Sequence, residues 1–572
     1  MGIKTGKSEG TKTGFMGEAR RIEKRGKIKE NKIKENKVKD GQIGGRQIKR
    51  EWLLPGGILL LAALARLVYL GTHPEGTYTD EAYGAYLAYG ILTEGMDDAG
   101  YRFPIYFTAW GSGMNALYLY LGALFFRIFG VSLTVYRLPQ AIFGILGVYA
   151  LYRLSEELFD RETALLASLA LAVNPWHIMM CRFGLESNLA PNLFLIALFF
   201  LIKGLKEKRK WLIPAAFCFG VSLYVYAVLW LFLPLFFVLC LLFCRRDLPE
   251  IKWVLWFGGI LFLMALPLFL FLAVNLGILP EIRTAFFSVP ELSGFRSGEL
   301  SARNIGTGLG TLFTILVREQ GDGRVLLSSE VTGSYYYFTT PLWILGLVCH
   351  VAFLGKNWKK SLNLPQRLSV VFPVWFLAAA AVSLVQASQT MIHINMIHIP
   401  VIFYGAYGIR CLDRLFRSHK VGIACTLFYL FSFGVFLKLY AEYPFPDFFG
   451  EKPYEAVLDA KELAGEEKTI TILGFDDTYK YPNLLWRERF PVREYAENRV
   501  MDGDPYFANL LSYGQYRYIE DTGEEERGYP LDRDSVYVLK DYQVGEFRKQ
   551  GFEVFRVNEE YAVAFMASGK SD

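Results

Sequence analysis

The sequence predicts a polytopic α-helical membrane protein, with about 11 crossing helices plus one re-entrant or interfacial helix, followed by a small C-terminal α/β domain. Three observations carry this. Hydrophobic residues make up 53% of the 572 and charged residues only 20%, against roughly 25% charge in a soluble globular chain. The apolar weight is uneven, since mean hydropathy is only +0.24. The charges also separate along the chain. Residues 1–51 hold 16 Lys/Arg and 7 Asp/Glu, residues 442–572 hold 16 and 28, and the stretch between is net +8. A basic tail, a long apolar middle and an acidic end are therefore distinct physical objects. A single soluble domain, a collagen-like chain and a disulfide scaffold are excluded.

The tail (1–51) contains KIKENKIKENKVKD, which has few apolar side chains and no aromatics. Such a segment cannot bury enough surface to offset its ordering entropy, so disorder is expected. Residues 52–70 (WLLPGGILLLAALARLVYL) are long enough to span a bilayer. The basic residues before them place the tail in the cytoplasm, where anionic lipid, not nucleic acid, is its expected partner. Further apolar runs lie near 113–130, 137–158, 163–180, 188–203, 211–226, 228–244, 253–275, 335–354, 368–386, 396–412 and 420–440. Basic connectors follow four of them: 203–210, 244–246, 356–360 and 410–420. All four become cytoplasmic only if 113–130 does not cross. That run is therefore read as re-entrant or interfacial, and a twelfth crossing is the alternative.

The expected division is a transmembrane domain at 52–440 and a soluble extracytoplasmic α/β domain at 443–572. The first outer loop is 71–134 and the long outer loop 276–334; loops this long usually carry function. After Tyr443, Lys468–Leu473, Ser535–Leu539, Phe552–Val557 and Tyr561–Phe565 read as strands, and Tyr454–Leu463 and Tyr542–Gln550 as helices. All seven cysteines lie in the apolar middle, and the histidines lack metal-binding spacing.

The outer loops hold the chemistry-bearing residues. The first opens Tyr78-Thr79-Asp80-Glu81-Ala82-Tyr83, with two adjacent carboxylates beside the bilayer. Acidic residues are ordinary in an outer loop, but here Asp97, Asp98, Arg102, Trp110, Asn115, Tyr118 and Tyr120 follow. Carboxylates, an arginine and amphipathic aromatics together suit a sugar. The second outer segment carries Arg182 and Glu186, four apart, which on one helix would share a face as an ion pair. Tyr335–Tyr337 read as an interfacial aromatic belt. Gln386, Gln389, His393, Asn395 and His398 read either as substrate-hydroxyl ligands or as polar contacts between helices.

Three stretches, TDEAYGAYLAYGIL, GMDDAGYRFPIYF and PWHIMMCRFGLESNLAP, resemble lipid-linked sugar transferases of the GT-C class. More narrowly, they resemble the protein O-mannosyltransferase and aminoarabinose-transferase families. The resemblance covers roughly 52–440 and is strongest over 78–205. It implies that Asp80 is the catalytic base with Glu81 beside it, and that Glu186 lines the same site. The implied reaction is inverting transfer of a sugar from a polyprenyl-phosphate donor to a protein, lipid or glycan acceptor at the outer face of the plasma membrane. The leaving phosphate needs a cation, for which Arg102, Arg182 and Arg296 are the candidates. Tyr83 and Asn188, in the same motifs, are further candidate substrate ligands. No metal is required if arginine supplies the charge, although an acidic pair can hold Mg²⁺ or Mn²⁺. The rival class is a transporter or flippase of a lipid-linked substrate, which should show internal repeats and broken helices at mid-membrane; no repeat is evident.

Overall fold

The computed structural model describes residues 2, 52–110, 113–294, 300–322, 327–358, 362–387, 389–442, 451–473, 481–502, 510–519 and 531–566. The expectation for the tail lies outside these residues. The chain divides into two units, Met1–Ile58 and Leu59–Asp572; apart from residues 53–58, which begin the first helix, all that follows concerns the second.

The first half is helical: α1 (Leu53–Leu67), α2 (Thr79–Thr93), α3 (Ala116–Phe129), α4 (Leu133–Leu158), α5 (Arg161–Ala172), α6 (Pro175–Met180) and α7 (Glu186–Lys206). Its breaks have local causes. Ser132 accepts from the Val135 amide and starts α4, and Asp160 accepts from the Thr163 amide and starts α5. Asn174 accepts from the His177 amide, with Pro175 at the first helical position. The single run expected at 163–180 is therefore two helices. The chain continues through α8 (Leu212–Ser222), α9 (Val228–Cys244), α10 (Ile251–Asn275), α11 (Ile305–Phe313), α12 (Thr340–Asn357), α13 (Leu364–Leu368), α14 (Val371–Val385), α15 (His398–Phe416) and α16 (Lys420–Glu442).

Among the described residues, six helices are long and apolar enough to cross a membrane: Glu186–Lys206, Val228–Asp247, Ile251–Asn275, Tyr337–Asn357, Leu364–Val385 and Lys420–Glu442. α3 and α4 pass the same test together but bend by 118° at their junction, the geometry of a broken span or a re-entrant loop at the run read as non-crossing. The expected runs at 52–70 and 211–226 are helices of 15 and 11 residues, too short to meet that length. Burial orders the spans: 72% of the apolar window of α7 is covered by protein, against 17% for α10. α7 is the central post, and α10 is largely uncovered by the rest of the protein.

From residue 451 the chain forms α17 (Glu451–Ala464), α18 (Tyr481–Glu488), α19 (Val492–Asn498) and α20 (Val544–Lys549) around a seven-stranded mixed sheet. Two short hairpins precede it, β1 (Tyr106–Phe107) with β2 (Met114–Asn115), and β3 (Ile282–Arg283) with β4 (Ser288–Val289). The sheet strands are β5 (Ile470–Leu473), β6 (Val500–Met501), β7 (Leu510–Tyr513), β8 (Tyr516–Ile519), β9 (Val536–Lys540), β10 (Glu553–Arg556) and β11 (Tyr561–Phe565), in the order β10-β11-β9-β5-β8-β7-β6. Central β5 is parallel to β8 and β9, and all its residues are buried. The four strands read from sequence are all present; β6, β7 and β8 are additional.

α12 and α15 touch backbone to backbone. A Cβ on Gly346 would sit 2.1 Å from the Tyr404 carbonyl oxygen, and one on Gly408 2.0 Å from that of Leu342. Gly408→Ala is expected to destabilise the protein by about 1–3 kcal/mol, read as a lower unfolding temperature in detergent. Gly434→Ala in α16, where a Cβ meets nothing within 4 Å, should leave it unchanged or raise it. Equal effects would contradict this packing.

Candidate active site

Two buried arginines, Arg137 and Arg182, hold the loop that leads into α2, and a third, Arg66, ties α1 to the end of α5. Arg66, near the end of α1, donates to the carbonyls of Ala62, Leu171 and Ala172 and to Nδ1 of His177 at 2.6 Å. Because arginine only donates, His177 carries its proton on Nε2 and gives it to Asn192 Oδ1 at 2.9 Å. Arg182 donates to the carbonyls of Ala65, Val68, Tyr69 and His73, satisfying the C-terminal end of α1. Arg137, in α4, donates to the carbonyls of Leu70, Pro74 and Gly76. The carbonyls of the turn are thus taken up by two cations, Arg137 of α4 and Arg182 of the turn before α7.

Arg137 also decides what the two adjacent carboxylates do. Its Nε and Nη2 both lie 2.7 Å from Glu81, one on each carboxylate oxygen, and both side chains are fully buried. Glu81 also accepts the Gly184 amide at 2.6 Å. It is therefore a tie between α2, α4 and the turn before α7. Asp80, one residue earlier in the first turn of α2, is only partly buried. Glu186 opens α7 and accepts both the backbone amide and the side-chain amide of Asn115, at 2.8 and 3.2 Å. Asp80 and Glu186 are close enough to interact electrostatically. The structure thus brings together two carboxylates, each in the first turn of a helix, where the helix dipole favours negative charge. Tyr136 of α4 fills the space behind them. Cβ atoms on Gly84, Gly122 and Gly184 would lie 2.3–2.7 Å from its ring or hydroxyl, so three segments approach one ring only because they carry glycine there.

The remaining candidates are placed as follows. Arg182 and Glu186 do not pair, because Cys181–Leu185 is a non-helical turn and each has other partners. With its guanidinium donating to four carbonyls, Arg182 is engaged in holding the fold. Asn188 is buried and donates to the Met180 carbonyl, while its Oδ1 is buried without a partner. Tyr83 points away from Asp80 towards the other end of the loop. Its hydroxyl donates to Asp98 at 2.6 Å, and its ring packs edge-on against Trp110. Arg102 is exposed and makes no side-chain hydrogen bond or ion pair with any described residue. Arg296 lies outside the described residues. Tyr335 and Tyr336 are buried and not interfacial; they bond to His398 and to the Val173 carbonyl. Asn395 donates to the Ser187 carbonyl at the start of α7, a contact between helical segments, whereas Gln389, outside any helix, donates to the Ser383 carbonyl near the end of α14. Among the described residues no group of three His, Cys, Asp or Glu side chains is placed to hold a metal ion, and the Glu81–Arg137 pair takes Glu81 away from its neighbour Asp80.

Sequence reasoning missed Arg66 and Arg137, and it read Asp97 and Asp98 as sugar-binding carboxylates without the buried contacts they make. Asp97 accepts the amides of Ala99 and Tyr101, and Asp98 accepts from Tyr83 and from Arg499 at 3.1 Å. Burial, reinforced by the neighbouring Asp98, raises Asp97 to about 7. Burial also raises Asp98, against the pull of Arg499 and the Tyr83 hydrogen bond. The signal for Arg66 was a lone arginine inside an apolar run.

With this geometry in view, comparison with known proteins gives a consistent answer. Residues 116–271 match the family described as dolichyl-phosphate-mannose-protein mannosyltransferase. The fold of 89% of the chain matches 98% of ArnT from Cupriavidus metallidurans bound to undecaprenyl phosphate, at a TM-score of 0.50 and 14% identity. The apo state of that protein gives 0.49 and 13%, over 89% of this chain and 98% of that one. The archaeal oligosaccharyltransferase AglB from Archaeoglobus fulgidus, in complex with an inhibitory peptide and a dolichol-phosphate, gives 0.45 and 12%, over 78% of this chain and 64% of that one. No curated protein matches the chain by sequence. The resemblance read from the motifs is borne out: the fold is GT-C-like, and both that fold and the matched family are those of glycosyltransferases. Together with the six apolar helices, this makes the chain a multi-pass membrane protein.

Two outcomes are expected. Arg137→Met leaves Glu81 as an uncompensated buried charge and should cost about 3–5 kcal/mol. The double variant Arg137→Met/Glu81→Leu should recover much of that loss, measured by unfolding in detergent; no recovery would contradict the pairing. For Asp97, whose folded-state pKa lies above its unfolded value of 3.8, the sign follows from linkage. Its contribution to stability is fully present below about pH 4 and is lost as pH rises through about 7. Asp97→Asn should flatten the fall in unfolding temperature over that window, and an unchanged slope would count against the buried acid.

Proposed function

We propose that the protein transfers a sugar from a polyprenyl-phosphate donor to an acceptor hydroxyl at the outer face of the plasma membrane, with inversion at the anomeric carbon. Asp80 takes the acceptor proton as the oxygen attacks that carbon. The bond to the phosphate oxygen breaks on the opposite face, and its electron pair leaves with the polyprenyl phosphate. The observation that carries this reading is the division of labour between neighbours. Glu81 is withdrawn into Arg137, while Asp80 stays partly accessible at the start of α2, near Glu186 at the start of α7. In this reading Glu186 is held by Asn115 and lines the acceptor side. Arg102, the exposed arginine of the first loop, supplies charge to the departing phosphate, with Arg296 as the second candidate. Arg182 drops out of that role because its donors are taken. The N-terminus is cytoplasmic and the 443–572 region extracytoplasmic. The bound undecaprenyl phosphate of ArnT, a protein of similar fold, supports a lipid-phosphate donor.

The test is transfer of labelled sugar from a panel of polyprenyl-phosphate sugars by purified protein, with membranes as acceptor. Asp80→Asn should lower turnover by about 10²–10⁴-fold while the protein remains folded. Arg102→Ala should lower turnover, with partial recovery in Arg102→Lys. Wild-type transfer by Asp80→Asn would remove Asp80 from the chemistry, and absence of transfer from every donor by folded wild-type protein would favour a transporter.

A further inference from the structure

The helix that carries Asp80 lacks a cap of its own. Tyr78 precedes α2 without a side-chain capping bond. Besides the Glu81–Arg137 pair, its start is held from some 400 residues further along the chain. Asn483, in α18, donates to the Thr77 carbonyl at 2.8 Å and reaches the Thr77 hydroxyl at 3.3 Å, with both residues buried. Thr77 lies three residues before Asp80. One turn into α2, the Tyr481 ring lies edge-on to Tyr83, with centroids 6.0 Å apart. Further along, Val492 packs where Gly90 has no side chain; a Cβ there would be 3.0 Å from its methyl. At the exit, Arg493 contacts Glu94, and Arg499 pairs with buried Asp98. Trp486 also stacks on Phe126 of α3, with planes 12° apart. α2 is thus gripped at its start, middle and end by residues 481–499.

We propose that residues 481–499 form a positioning element of the active site, setting the axial placement of α2 and hence of Asp80, with Asn483 and Arg499 as its two anchoring residues. This rests on the reading of Asp80 as the base. The physical reason is leverage: α2 has apolar neighbours along its sides, which resist sideways displacement but resist sliding weakly. Directional bonds at its two ends, added to the Glu81–Arg137 pair in its first turn, fix its axial position. An error of about 1 Å in such a group costs about 10²-fold in rate.

The test uses full-length protein with Asn483→Ala, Arg499→Ala, Arg499→Lys and, as control, Lys549→Ala. Lys549 lies in α20, outside 481–499, and pairs with Glu546 of the same helix. Two readouts are taken: kcat and KM for the donor, and hydrogen exchange of the α2 amides. Asn483→Ala and Arg499→Ala should each lower kcat about 10- to 100-fold with KM unchanged and should speed exchange in α2 but not in α7. Arg499→Lys should recover most of the rate. Wild-type kcat and unchanged α2 exchange would overturn the proposal. So would loss of rate with accelerated exchange throughout the chain, which marks a general loss of stability. Should any variant fail to fold, Arg499→Lys retains the charge and decides the question by the exchange of α2. Failure of the Asp80 reading is separate: Asp80→Asn would then keep wild-type turnover, while α2 exchange still reports whether 481–499 hold the helix.

Discussion

The Glu81–Arg137 ion pair is the interaction on which the rest of the site depends. It is bidentate, fully buried and supplied with further partners on both sides, namely the Gly184 amide on the carboxylate and three loop carbonyls on the guanidinium. A buried pair is not by itself a source of net stability, because desolvation offsets much of the attraction. What it supplies is specificity of place. Loop 70–76, α2, α4 and the turn before α7 can satisfy their charges and carbonyls in one arrangement only. Arg66 and Arg182 repeat the device at the end of α1, so the path from the first helix to Asp80 is set by buried cations.

That arrangement separates two carboxylates adjacent in sequence. A helix turns about 100° per residue, so Asp80 and Glu81 necessarily face different directions. Glu81 faces the protein and is neutralised there; Asp80 faces the start of α7 and Glu186. Two helix N-termini directed at one region provide a field suited to negative charge. Tyr136 and its three glycine neighbours keep the helices close enough for that field to be shared.

Much of this was legible in the sequence, for physical reasons that also explain the omissions. The TDEAY and FGLES motifs located Asp80 and Glu186 because acidic residues at the edges of apolar runs stand out. The apolar runs located most helices, and alternation located β5, β9, β10 and β11. The spacing of Arg182 and Glu186 left open whether they share a helix face, because spacing alone does not reveal the non-helical turn between them. Arg66 and Arg137 passed unnoticed because a lone arginine in an apolar run contributes little to composition, whereas its carbonyl partners are spread over distant segments. Tyr335 and Tyr336 have the composition of an interfacial belt, and only tertiary packing shows them buried. The grip of residues 481–499 on α2 depends on contacts across some 400 positions, which no local pattern encodes.

The most direct measurement compares unfolding of Asp80→Asn and Glu81→Gln side by side in detergent. If one carboxylate is a structural tie and the other is kept for chemistry, Glu81→Gln strands the buried Arg137 charge and loses about 3–5 kcal/mol. Asp80→Asn, which keeps the size of a partly exposed side chain and its capacity to accept hydrogen bonds and gives up its charge at a helix N-terminus, should lose no more than about 1 kcal/mol. The reverse order, or equal losses at the two positions, would contradict the division of roles between these neighbouring residues.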